Sequence, residues 1–144
     1  MTAGAGCARS AGLILAGVVW SGILLQAGAS SAAPGSWAAS AAPVTVAMAG
    51  RTYHSRALPP PRPELVAESV IGRVSWRFRV PAGRAVNVWL CSGEHCEAIS
   101  GQRGSSEALA GHAAARPLQF RFALRPGEQR AVTVRELQLL VDYH

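Results

Sequence analysis

The chain has 144 residues, about one domain by the usual prior, with no internal repeat to suggest a solenoid and no room for a multidomain enzyme. Its formal charge is +6 at pH 7, and all 14 basic residues are arginine, set against 8 acidic ones. The hydrophobic share of 49% is high for a soluble chain but unevenly spread, with a dense apolar run in the first third.

Residues 1–10 are small and polar with one cation, Arg9, and are followed by an apolar run over 11–25 and by small residues from Ala27 to Ala33. This is the order of a secretory signal peptide. The apolar run is also shorter than the roughly 20 residues a membrane-spanning helix needs. Residues 1–32 are therefore expected to be cleaved, with Ser30 and Ala32 as the small residues before the cut and a second option before Ser30. Cys7, Arg9 and Trp20 leave with that segment, so the mature chain over 33–144 holds 13 of the 14 arginines against 8 acids, a net +5, and two cysteines. It is expected to be exported and soluble. In an oxidising compartment a remaining cysteine pair is more often bonded than free.

In the mature chain, residues 33–40 form a small-residue lead-in whose one large side chain, Trp37, is expected to anchor the N-terminal end against the core. Residues 44–48 and 51–56 are β-rich and flank Ala49-Gly50, the pattern of a hairpin. Pro59, Pro60, Pro61 and Pro63 lack amide donors and fix φ, so 58–63 is expected to cross between two sheets as an extended connection. From Arg73 the periodicity is clear. Val74, Trp76, Phe78 and Val80 alternate with Arg73, Ser75, Arg77 and Arg79, an apolar strand face backed by guanidinium groups. After the turn Pro81-Ala-Gly-Arg84, Val86, Val88 and Leu90 give the next strand its apolar face, with Asn87, Trp89 and Cys91 opposite. These two strands are expected to pair as a hairpin, and residues 96–100 to answer the second of them across 92–95.

Residues 101–106 have the composition of a loop, and 107–110 that of a short strand or turn. Leu118, Phe120, Phe122 and Leu124 then alternate with Gln119, Arg121 and Ala123, and Arg125-Pro-Gly-Glu128 is a type II-like turn. Residues 130–135 and 137–143 are two more β-rich runs, the last apolar enough to be buried on both faces. About seven to eight short strands with no helical period predict a single-domain, all-β antiparallel sandwich, a small barrel being the alternative.

Cys91 and Cys96 flank a four-residue loop, where cross-strand cysteines come close enough for a disulfide. The rival is a metal site that adds His95 and Glu94. It lacks the three or four converging ligands such a centre needs, because no spacing brings in His54, His112 or His144. No metal or cofactor is expected. Nor is any catalytic residue: Asp142 is the only Asp, and there is no nucleophile elbow, zinc-protease motif or phosphate loop. Arg73, Arg77 and Arg79, joined by Arg121 on a neighbouring strand, form the candidate interaction face, since guanidinium pairs bidentately with carboxylate or phosphate. A solvated sheet face is the plain alternative. Nucleic acid is not an expected partner of an exported chain. Trp89, opposite the apolar set, is the candidate aromatic contact.

Gly35-Ser-Trp37 soon after the signal peptide, Val74-Ser-Trp-Arg-Phe78, the loop Leu90-Cys-Ser-Gly-Glu-His-Cys96, Gly101-Gln-Arg-Gly104, Arg116-Pro-Leu-Gln-Phe-Arg-Phe122 and the ending Leu140-Val-Asp-Tyr143 follow one another in a specific order. Together they resemble the flagellar protein FlhE family over nearly the whole mature chain. The resemblance implies a periplasmic β-sandwich protein, without enzymatic activity, linked to the flagellar type III export apparatus. It further implies a part in keeping that apparatus from leaking protons, in flagellar assembly and in swarming, through a plug-like or chaperone-like action. The implied partners are the export apparatus or rod and hook proteins; no oligomeric state is implied. Two other classes suit a small exported sandwich. One is a peptidoglycan-binding module that uses an exposed Trp. The other is a chaperone for exported flagellar subunits, which needs an apolar groove or a free strand edge.

Overall fold

The computed structural model describes residues 33–144, so the signal peptide expected over 1–32 lies outside the described residues. Two antiparallel sheets enclose one apolar core. The first holds β1 (Gly35–Ala41), β2 (Val44–Val46), β4 (Ile71–Arg79), β7 (Arg103–Ser106) and β9 (Val132–Tyr143), in the order β1-β9-β4-β7 with β2 also paired to β9. The second holds β3 (Thr52–His54), β5 (Val86–Ser92), β6 (His95–Ile99) and β8 (Leu118–Leu124), in the order β3-β8-β5-β6. This is the expected all-β sandwich.

Alternation builds it. In β4, Val74, Trp76 and Phe78 are buried while Arg73, Arg77 and Arg79 are exposed, and in β8 Leu118, Phe120, Phe122 and Leu124 are buried. The two apolar faces meet at Phe78, whose ring stands edge-on to Phe120 and Phe122 with centroids 6.2 and 6.3 Å away. The aromatic quadrupole favours that arrangement. Trp37 is buried as expected, but the lead-in around it is itself a strand, paired from Gly35 opposite Tyr143 to Ala41 opposite Leu137. Among the described residues, no helix is long and apolar enough to cross a membrane.

The two expected hairpins before residue 92 are instead crossings between sheets. β2 pairs with β9 and β3 with β8, so the chain changes sheet around Gly50, which has φ 73°. Likewise β4 is flanked by β9 and β7, and β5 by β8 and β6. Alternation defines a buried face and leaves the partner open; β9 offers β4 a ladder reaching from Ile71 to Arg79 that a direct return across Pro81 forfeits. The proline run does cross between sheets, from β3 to β4, with a 3₁₀ turn at Pro63–Leu65. The β5–β6 hairpin forms as expected around Gly93-Glu94, and Gly93 takes the positive φ that a two-residue hairpin turn demands. The turn after β8 forms too: the Glu128 amide donates to the Arg125 carbonyl at 3.0 Å, with Gly127 at φ 85°.

Two segments depart from expectation further along. Residues 103–106 are a strand rather than loop, pairing with β4 so that Gly104 faces Trp76. The runs 130–135 and 137–143 are one strand interrupted by a bulge at Glu136, at φ 53° the one non-glycine residue with positive φ among those described. The bulge resets side-chain parity. Val132 and Val134 before it and Leu137, Leu139 and Val141 after it all face the core, which unbroken alternation forbids. Beyond the bulge one face stays open, leaving Gln138 and Leu140 exposed, so this run is not buried on both sides.

Charge closes one end of the sandwich. In the β4–β5 connection, Arg84 donates through Nε to Glu128 Oε2 at 2.9 Å and through Nη2 to the Arg130 and Ala131 carbonyls at 2.6 and 3.3 Å. The two charged side chains are only 21% and 22% exposed. The Arg84 hydrogen bond, helped by the Arg130 amide, holds the Glu128 carboxyl below its ordinary value. A carboxyl depressed in the folded state stabilises above its unfolded pKa, and that stability is lost as pH falls through the folded pKa. Glu128→Gln is therefore expected to lower Tm at pH 7, and the gap to the parent should close as pH falls through and below the ordinary carboxyl range. Calorimetry showing a constant gap across that range would remove the ionic contribution.

Candidate protein-docking surface

β4 carries Arg73, Arg77 and Arg79 on the outer face of the first sheet, away from the core. Their charges are unevenly met. Arg73 Nη2 lies 2.7 Å from Glu107 Oε1, and that hydrogen bond raises the guanidinium pKa above its ordinary value. Arg79 Nε lies 2.9 Å from Glu136 Oε2, whereas Arg77 Nη2 reaches the same oxygen only at 3.8 Å. All these side chains are well exposed, where such pairs contribute little.

Arg121 does not join them. Alternation shows which side of β8 it occupies, but β8 belongs to the second sheet, so Arg121 projects from the opposite side of the sandwich. There its guanidinium carbon sits 5.0 Å from the centroid of the Trp89 ring, a cation–π contact. The register His54, Arg121, Trp89, Ala98 runs across all four strands of that sheet. Trp89 is only half-exposed, and the cation covers one face of its ring.

Cys91 and Cys96 are directly opposed on β5 and β6 and joined by a disulfide, with Cα atoms 4.0 Å apart. So small a ring trims about 2 kcal/mol of unfolded-chain entropy at most, which shapes the hairpin tip more than it holds the fold. Beside it, His95 Nε2 lies 2.8 Å from Glu97 Oε1, and the His112 ring lies 4.8 Å from that of His95. No group of three His, Cys, Asp or Glu suited to a metal occurs among the described residues.

Sequence reasoning missed two residues of the arginine face. Arg103 stands directly opposite Arg77, on a strand whose glycine and serines carry no apolar signal. Leu140, 42% exposed, lies between Ala38 of β1 and Ser75 of β4. Its even number is out of step with Leu137, Leu139 and Val141, which is the available signal that it faces outward. These residues line a depression of about 590 Å³ on the outer face.

Comparison with known proteins gives a consistent result. The family described as flagellar protein FlhE matches residues 43–144. The flagellar protein FlhE of Escherichia coli K12 is 32% identical over 126 residues, covering 84% of this chain and 91% of that protein. The flagellar protein FlhE of Salmonella typhimurium LT2 is 31% identical over 118 residues, covering 78% and 88%. A crystal structure of FLHE superposes with a TM-score of 0.68 at 30% identity, spanning 77% of this chain and 97% of that one. The family match over residues 43–144, the relatives and the superposed structure thus agree: this chain belongs to the flagellar protein FlhE family.

Proposed function

We propose that this chain is a periplasmic, non-enzymatic accessory protein of the flagellar type III export apparatus that limits proton leak through the export gate and supports flagellar assembly and swarming. Its membership in the FlhE family carries the proposal. The signal-peptide pattern of residues 1–32 supports export. Arg73, Arg77 and Arg79 on one sheet face supply a basic surface for docking on the gate or on a rod or hook component. The test is cytoplasmic pH after an external acid shift in a deletion strain, repeated in a strain that also lacks the gate. Excess acidification that disappears with the gate is the expected result; unchanged pH in the deletion overturns the leak-limiting role.

A chaperone role for exported subunits has one observation in its favour. β1 is an edge strand with neither charge nor proline, Gly-Ser-Trp-Ala-Ala-Ser-Ala, and such an edge can accept an added strand. The peptidoglycan alternative is weakened by the guanidinium of Arg121 over Trp89.

A further inference from the structure

Arg77 and Arg103 are directly opposite each other on β4 and β7, and residues so placed project from the same face. Like charges in that position repel. Their surroundings do little to relieve it: Arg103 forms no ion pair among the described residues, and the carboxylate nearest Arg77, that of Glu136 at 3.8 Å, is held by Arg79 at 2.9 Å. This unrelieved pair stands at one end of the outer-face depression. The row Ala38, Leu140, Ser75, Ser105 crosses the first sheet with one large apolar side chain among three small ones, so the surface dips beside Leu140. The next row, Ser40, Gln138, Arg77, Arg103, sets the two cations alongside. The volume of about 590 Å³ falls within the range of sites that take small ligands.

We propose that this depression is a docking site for an extended acidic–apolar segment of a partner protein. An apolar side chain of the segment lies on Leu140 between Ala38 and Ser75, and the carboxylate two residues along, on the same face of the extended segment, is received by Arg77 and Arg103. Charge complementarity together with the apolar floor selects this occupant: a free phosphate would engage the guanidinium pair and leave Leu140 bare. A lipid surface calls for a broadly basic face, whereas Glu107 and Glu136 offset Arg73 and Arg79 on this one. The proposal deepens the docking role given above and rests on it only for where the partner is found.

The test is a titration of the isotope-labelled chain, isolated as the cell processes it, with the peptide acetyl-Leu-Ser-Asp-Ser-Leu-amide, whose leucines and aspartate share one face when extended, followed by NMR. Amide shifts are expected at Ser75, Arg77, Arg103 and Leu140. Binding is expected to weaken about tenfold for the Asn-for-Asp peptide and for Arg103→Gln, as loss of a charge-assisted pair implies. Glu136→Gln, which releases Arg79 and Arg77, is expected to tighten it about two- to threefold. Equal binding of the two peptides, shifts confined to another face, or no binding at millimolar peptide overturns the proposal. So does a match of the same shifts by inorganic phosphate or anionic phospholipid vesicles without discrimination between the peptides. The titration contains no flagellar component, so its failure leaves the proposed function standing; a deletion strain without a flagellar defect would overturn that function and leave the binding result intact.

Discussion

Phe120→Ala is expected to lower stability by about 3–5 kcal/mol, through lost transfer energy and the cavity left behind. The ring is fully buried, stacks on Phe122 at 5.8 Å between centroids and takes the edge of Phe78 from the facing sheet. Collapse around the gap is restricted because the backbone there is pinned twice: the Phe120 amide donates to Ser55 Oγ at 3.1 Å, and its carbonyl accepts from the Ser55 amide at 3.0 Å. Since small domains are stable by only about 5–15 kcal/mol, the loss is a large share of the total. Urea denaturation should show a lowered midpoint with an unchanged slope. A loss below about 1 kcal/mol would mean that the two sheets can close over the space.

Gly104→Val is expected to cost about 1–3 kcal/mol by overpacking and to loosen β7 from its sheet. A Cβ at that position would lie 2.5 Å from Trp76 Cζ2 and 3.0 Å from Cε2. The indole has little freedom to retreat, being buried and donating through Nε1 to the Gly101 carbonyl at 3.2 Å. Either the ring leaves its place or β7 detaches, and the second outcome also displaces Arg103. Faster amide exchange confined to residues 103–106 would locate the damage. Wild-type stability and exchange in the variant would show that the strand does not press on the ring.

The legible parts of this molecule were those written in alternation. β4, β5 and β8 bury the residues whose period of two announced it, and Arg125-Pro-Gly-Glu128 turns where proline and glycine demand it. Partners were less legible, because alternation specifies a face and says nothing of which strand lies beside it. That gap produced both mistaken hairpins, and it also grouped Arg121 with arginines of the other sheet. β7 was silent for a different reason. Gly104 is there because an aromatic ring occupies the space of a side chain, a fact held by Trp76 rather than by the segment itself. The bulge at Glu136 has no local turn residue to mark it; only the change of parity between Val134 and Leu137 betrays it.

The pairing of β1 with β9 sets a timetable for folding. β9 lies between β4 on one side and β1 and β2 on the other, so three strands that appear earlier in the chain all wait for the last segment to be available. Closing contacts between residues so far apart in sequence makes for slow assembly, in the millisecond-to-second regime of high-contact-order β proteins. A chain emerging from its N-terminus can form the hairpin of β5 and β6 early, and can add β8 to it, while the first sheet stays open until Tyr143 arrives. Completion of this fold is thereby coupled to the arrival of β9: loss of that strand removes the shared partner of β1, β2 and β4 rather than a loose end.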